Sequence, residues 1–166
     1  MPTSDPVTIL LAHNRWANDR LLDACAPLTR EQFHQTFDIG PGSLHHTIAH
    51  IAGAMMGWSD MLAQREQRPR PEKTADFTVD QLRAMLADAS DDIEKSAARP
   101  VDEIVTGARG GRTYSFTRGA VLTHLMTHGV HHRAQCLNML RQLGATPPDL
   151  SVMVWTMTVD APAATA

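Results

Sequence analysis

Nine histidines stand in a chain of 166 residues that carries fifteen Lys plus Arg, one Tyr and four Phe. Two of them, His128 and His132, lie four positions apart in a segment of helical periodicity. At about 100° per residue, that spacing sets two imidazoles one turn apart on one face. Val121, Leu122, Leu125, Met139, Leu140 and Leu143 gather in an arc about 100° wide, the stripe such a helix turns toward a core. His128 falls at the edge of this arc and His132 inside it; His124 and His131 fall toward the polar side. One inward histidine is commonly a hydrogen-bonded core residue. An inward pair needs satisfied nitrogens in a low-dielectric interior, and a shared divalent ion satisfies both.

A second helical segment offers a third nitrogen. Leu44, Ile48, Ile51, Met55, Trp58 and Leu62 define its apolar face. His50 sits on the flank of that face near Ala54 and Met61, His46 is a small rotation behind it, and His45 points away. His50, His128 and His132 together would give three neutral ligands and leave coordination positions for water or substrate. That is the composition of a catalytic metal site, not of a closed structural one. His46 and His124 lie near enough to be alternatives. His13, His34, His45 and His131 are expected to face solvent. In the first helical segment Asn14 and Asn18 interrupt the stripe of Val7, Leu10, Leu11, Leu21 and Cys25. Two amides one turn apart on a core face need partners: an interhelical hydrogen bond, or a metal ligand or substrate to orient.

Four helices must position these residues. The first opens at Ser4 or Asp5 with Pro6 behind it and runs to about Ala26. The second opens at Ser43, after the Pro41-Gly42 breaker, and runs to about Gln64. The third starts at Thr78, where Gln81 completes a capping box, and ends near Ala98. The fourth runs from Thr117 to Leu143, with Gly144 and Pro147-Pro148 as its stop. Between the last two, Glu103 to Phe116 reads as a small hairpin or irregular loop around Gly107 to Gly111. The apolar stretch to Val159 suits a short helix or an extended segment, and 161–166 a frayed tail. The fold expected is one all-α domain, a four-helix bundle, with long crossover connections over 27–42, 64–77 and 99–116.

A hydrophobic share of 43% and a charged share of 20% exclude a disordered or fibrous chain, and net charge -3 argues against a nucleic-acid surface built on bulk charge. No apolar run reaches the length of a membrane span, and Met1 to Ala12 lacks the pattern of a secretory signal. Cys25 and Cys136 form no Cys-x-x-Cys pair and fall on apolar faces, so they are expected to be reduced core thiols of a cytoplasmic protein, not nucleophiles.

The segment His13-Asn14-Arg15-Trp16-Ala17-Asn18-Asp19-Arg20-Leu21-Leu22 resembles the opening helix of the DinB family. Ser43-Leu44 through His50-Ile51, followed by Trp58, resembles that family's second-helix block around its first metal histidine. Leu122 through Gln135, ending in Leu140-Arg141-Gln142-Leu143-Gly144, is similar to its closing helix, whose hallmark is a histidine, three residues, then His-Arg-Gly-Gln. Ala134 stands where the family usually has Gly, a departure that removes no ligand. The resemblance implies a DinB/YfiT-like bundle, often a homodimer, with zinc or nickel held by His50, His128 and His132.

It also implies metal-dependent transferase or isomerase chemistry on a small-molecule substrate. The cosubstrate would be a low-molecular-weight thiol such as mycothiol, bacillithiol or glutathione, whose pKa an open metal position lowers. Asn14, Asn18 and Arg133 are candidates for orienting a ligand or substrate. A metal-dependent hydrolase that activates water is the alternative, for which Asp19 and Asp60 are the nearest carboxylates by sequence. A non-catalytic, metal-binding, stress-associated bundle is another.

Overall fold

The computed structural model describes residues 3–71, 76–109 and 111–161. Local capping sets the helix starts. Asp5 accepts from Thr8 N–H and opens α1 (Pro6–Cys25). Ser43 accepts from His46 N–H and opens α3 (Leu44–Leu62), and Thr78 with Gln81 forms a reciprocal box at the head of α4 (Val79–Ala97). Thr117 caps α5 (Arg118–Gln142), and Gly144 follows it at φ +77°, a conformation that favours glycine. A five-residue helix, α2 (Arg30–His34), occupies the stretch expected to be loop, capped by a Thr29/Gln32 box. The segment to Val159 contains α6 (Val152–Thr158). Of the tail, 162–166 lie outside the described residues.

The four long helices form the expected bundle. Helix α3 packs against α4 and α5, and α1 packs against the same two, so α1 and α3 face each other across a diagonal. The connections through 27–42 and 99–116 therefore cross the bundle, as expected. The third does not: α3 and α4, which it joins, are immediate neighbours, and Arg65 and Arg68 after α3 enter a network of charged contacts. Asp60, wholly buried, accepts from Arg65 Nε at 2.6 Å, and from Arg68 N–H at 2.8 Å and its Nε at 2.9 Å.

The core takes Leu21 and Leu22 from α1, Ile48 and Ile51 from α3, Leu82, Leu86 and Ile93 from α4, and Leu125, Met139 and Leu140 from α5. Each such side chain contributes about 1.5–3 kcal/mol by leaving water. Strands β1 (Ile104–Arg109) and β2 (Arg112–Thr117) pair antiparallel, with Ile104 opposite Thr117 and Arg109 opposite Arg112. Arg118, wholly buried, fastens this hairpin to the bundle. It donates to Leu62 O at 3.2 Å, to Ser96 Oγ and to Glu103 Oε2 at 2.8 Å. Among the described residues no helix is long and apolar enough to cross a membrane.

Candidate metal centre

Helix α3 presents His50 and helix α5 presents His128 and His132, all three half-buried. His50 Nε2 and His128 Nε2 lie 3.1 Å apart. Ring centroids are 5.0 Å apart for His50 and His128, 4.6 Å for His50 and His132, and 4.4 Å for His128 and His132. One nitrogen from each falls within 4.8 Å of the other two. The pair on α5 meets because its members are one turn apart. His50 joins them because α3 and α5 are adjacent in the bundle.

The electrostatics suit a cation. Burial, followed by the charge on His132, His50, His124 and His131, pushes His128 down to about 3, and burial also lowers His132. Both are neutral imidazoles at pH 7, the form that donates a lone pair to a metal. His132 Nδ1 lies 2.8 Å from Gln135 Oε1, which accepts its proton and leaves Nε2 free to act as a ligand. Gln135 Nε2 in turn donates to His131 Nε2 at 3.1 Å. The amide lies against Gly40, where a Cβ would fall 2.2 Å from Oε1 at a backbone φ of +53°. The donor chemistry therefore fits a divalent ion: three neutral nitrogens converge, one with its tautomer fixed from behind.

Other histidines divide differently from expectation. His46 and His124 are exposed and lie outside this cluster, and His131 is exposed as expected. His13 does not face solvent: it is 4% exposed, and its Nε2 donates to Leu150 O at 2.8 Å. The segment after α5 folds back over it, a cover that α1 periodicity cannot contain. His45 is likewise buried, because Phe33 and His34 of α2 pack against it and Phe77 lies over the start of α3. His34 is no loop residue but the half-buried last residue of α2.

Asn14, Asn18 and Arg133 come together as one buried network. Arg133 Nη1 donates to Asn14 Oδ1 at 2.6 Å and to Asn18 Oδ1 at 2.9 Å, and both amides donate toward Met55 Sδ. Their bonds run among α1, α3 and α5, not to the three histidines, which is the interhelical alternative. Gly129 makes room: a Cβ there would fall 2.7 Å from Asn14 Oδ1. Gln135 is the residue the motif contains but to which sequence reasoning gave no role. Its positions, three after His132 and four after His131, were the available signal.

The carboxylates nearest in sequence are engaged elsewhere, Asp60 as described and Asp19 with Arg83 at 3.1 Å. Cys25 and Cys136 are buried, and burial pushes both thiols up, Cys25 to about 12. A cleft of about 550 Å³ opens between α3 and the hairpin, lined among others by Trp58, Met61, Arg112, Tyr114 and Phe116. The three histidines do not line it. Trp58 bridges the gap: its ring lies 5.1 Å from His124, which lies 5.5 Å from His128.

The DinB family profile matches residues 1–159. The chain belongs to the DinB family. It is 25% identical to Protein DinB of Bacillus subtilis (strain 168) over 168 aligned positions, covering 92% of this chain and 95% of the relative. It also resembles the crystal structure of a DinB-like protein from Bacillus cereus ATCC 10987, with a TM-score of 0.62 at 18% identity over 82% of this chain and 90% of that one. That likeness supports the bundle and its connections.

Proposed function

We propose that this DinB-family protein is a metal-dependent S-transferase or isomerase that uses a low-molecular-weight thiol of the mycothiol, bacillithiol or glutathione type. His50, His128 and His132 would hold one zinc or nickel ion. The observation that carries the reading is a cluster of three imidazole nitrogens within 4.8 Å whose nearest carboxylates by sequence, Asp19 and Asp60, are tied to arginines. A divalent ion held there supplies a Lewis-acid position that lowers the pKa of a thiol brought to it.

The chain's own groups do the rest. Gln135 keeps the proton of His132 on Nδ1. Low pKa values keep His128 and His132 neutral, hence able to ligate, through the physiological range. Both cysteines are buried thiols with raised pKa, so the sulfur nucleophile comes from a cosubstrate. The cleft beside Trp58, Tyr114 and Phe116 offers apolar walls and the Arg112 guanidinium to a planar, anionic electrophile. The reading carries with it a cytoplasmic homodimer, for which exposed Met153 and Met157 on α6 offer apolar surface.

Metal analysis of untagged protein comes first, with one equivalent at the three-histidine cluster expected and the loss of that equivalent in His128→Ala. A panel of thiols with chlorodinitrobenzene follows, with metal-dependent conjugation by at least one thiol expected. Ester or amide cleavage without thiol dependence would replace the reading with a hydrolase. Metal binding with neither activity would leave a non-catalytic metal-binding bundle.

A further inference from the structure

A second cluster of ligand-type side chains lies at the end of the bundle where α2, α3 and the start of α4 meet. His34 closes α2, His45 is the second residue of α3, and Asp76 stands two residues before the Thr78 cap. His34 Nε2 lies 3.0 Å from Asp76 Oδ1, and His45 Nε2 lies 3.6 Å from the same oxygen. One ligand atom from each residue falls within 4.8 Å of the other two. The imidazoles stack at 4.4 Å between centroids, with 24° between planes.

Hydrogen bonding does not account for His45. The residue is 3% exposed, and its Nε2 accepts from Phe77 N–H at 3.1 Å. An accepting Nε2 carries a lone pair, so the ring proton sits on Nδ1, a buried atom with no partner. Nε2 therefore has no proton of its own to offer the Asp76 oxygen 3.6 Å away. A cation is the partner that an unprotonated imidazole nitrogen and a carboxylate can share. Zinc bonds of about 2.0–2.2 Å in a tetrahedral arrangement place ligand atoms about 3.3–3.5 Å apart. The two observed separations from Oδ1 bracket that value.

We infer that His34, His45 and Asp76 form a second divalent-cation site, of two imidazoles and one carboxylate, suited to Zn²⁺ and open to solvent on the Asp76 side. Three existing contacts compete with the ion. Phe77 N–H must give up His45 Nε2, the direct contact of His34 Nε2 with Asp76 must open, and Arg30, hydrogen-bonded to Asp76, must swing away. The Arg30 side chain is 73% exposed and can do so. Zinc therefore fills this site after the site on α3 and α5, and it joins α2, the start of α3 and the residue two before the α4 cap.

The test is zinc stoichiometry by equilibrium dialysis on untagged full-length protein, with folding checked by circular dichroism. Wild type is expected to bind two equivalents, and Asp76→Asn and His34→Ala one each. Both substitutions fall on partly exposed side chains that the core does not need. Arg30→Ala should retain two equivalents and bind the weaker one more tightly, which removal of a merely structural ion pair would not produce. In His128→Ala, the equivalent removed by Asp76→Asn should remain. Two equivalents persisting in Asp76→Asn, or one equivalent in wild type that Asp76→Asn leaves unchanged, would overturn the site. Loss of metal in His128→Ala alone tests the α3/α5 centre, so the two readings fail separately.

Discussion

Arg133 offers the sharpest energetic test, because it is a cation held in the bundle interior by neutral groups. It is 3% exposed, and burial pushes its guanidinium down to about 10. Among the described residues its hydrogen bonds go to two amide oxygens and to no carboxylate. The drop corresponds to about 3 kcal/mol of lost solvation that the two amides offset only in part. Arg133 remains charged at pH 7.

Replacing Asn14 with Leu keeps the branched shape of the side chain and deletes the 2.6 Å bond. A hydrogen bond to a charged group contributes about 1.5–3 kcal/mol, so Asn14→Leu should lower stability by about 2–3 kcal/mol. Arg133→Met removes the buried charge itself, leaves only neutral amides unpaired, and should cost about 1–2 kcal/mol. With no cation left to satisfy, Asn14→Leu in the Arg133→Met background should cost little. The double mutant should therefore be about 2 kcal/mol more stable than the sum of the singles predicts. Urea unfolding followed by circular dichroism measures all three. Additivity within about 0.5 kcal/mol would refute the claim that Asn14 is present to solvate Arg133.

Further outcomes follow from the same geometry. Gln135→Ala should weaken zinc binding at the three-histidine cluster by about 10–100-fold in competition with a chromophoric chelator, while leaving the unfolding midpoint of the metal-free protein within a few degrees. Gly40→Ala should weaken it in the same direction, since its Cβ displaces the Gln135 amide, and should cost about 1–2 kcal/mol for the left-handed backbone, read by thermal unfolding. Arg118→Met should cost about 3 kcal/mol in urea, because Glu103 and Ser96 lose their shared partner at the base of the hairpin; a change under about 1 kcal/mol would contradict that role. For pH, His13 and His45 are both held below 6.5 by burial. A lowered folded-state pKa means that each contributes stability that is present above about 6.5 and is lost as pH falls, for His45 toward about 4. Metal-free protein should lose about 1–2 kcal/mol from His45 between pH 7 and pH 5. A flat profile across that interval would contradict this.

Helix starts and the pairing of His128 with His132 are legible because both are short-range facts. Ser43, Thr78 and Thr117 each cap the helix that follows them, and His128 and His132 are neighbours on one turn. What failed was long-range. The apolar stripe of α3 is a poor guide because Leu44, His45, Thr47, Ile48 and Ala49 are all buried, with α2, α4, α5 and β1 packed around one helix. The periodicity of α1 points His13 to solvent because its cover, Leu150, lies 137 residues away. Helix α2 has a capping box in Thr29 and Gln32, but its five residues are too few for periodicity to register. The network of Asn14, Asn18 and Arg133 was visible as amides in need of partners, but the choice between partners depended on which helices face each other.

His50 and His128 are 78 residues apart in the chain, yet their nitrogens are nearly in contact. An ion held between them cannot find its ligands in a nascent α3 or a nascent α5; it must wait for the two helices to dock. Such an ion acts as a latch applied after assembly. It should leave the folding rate nearly unchanged and slow unfolding, adding about 2.7 kcal/mol at a free metal concentration one hundred times Kd. The lifetime of the native state, more than its rate of formation, would then follow metal supply.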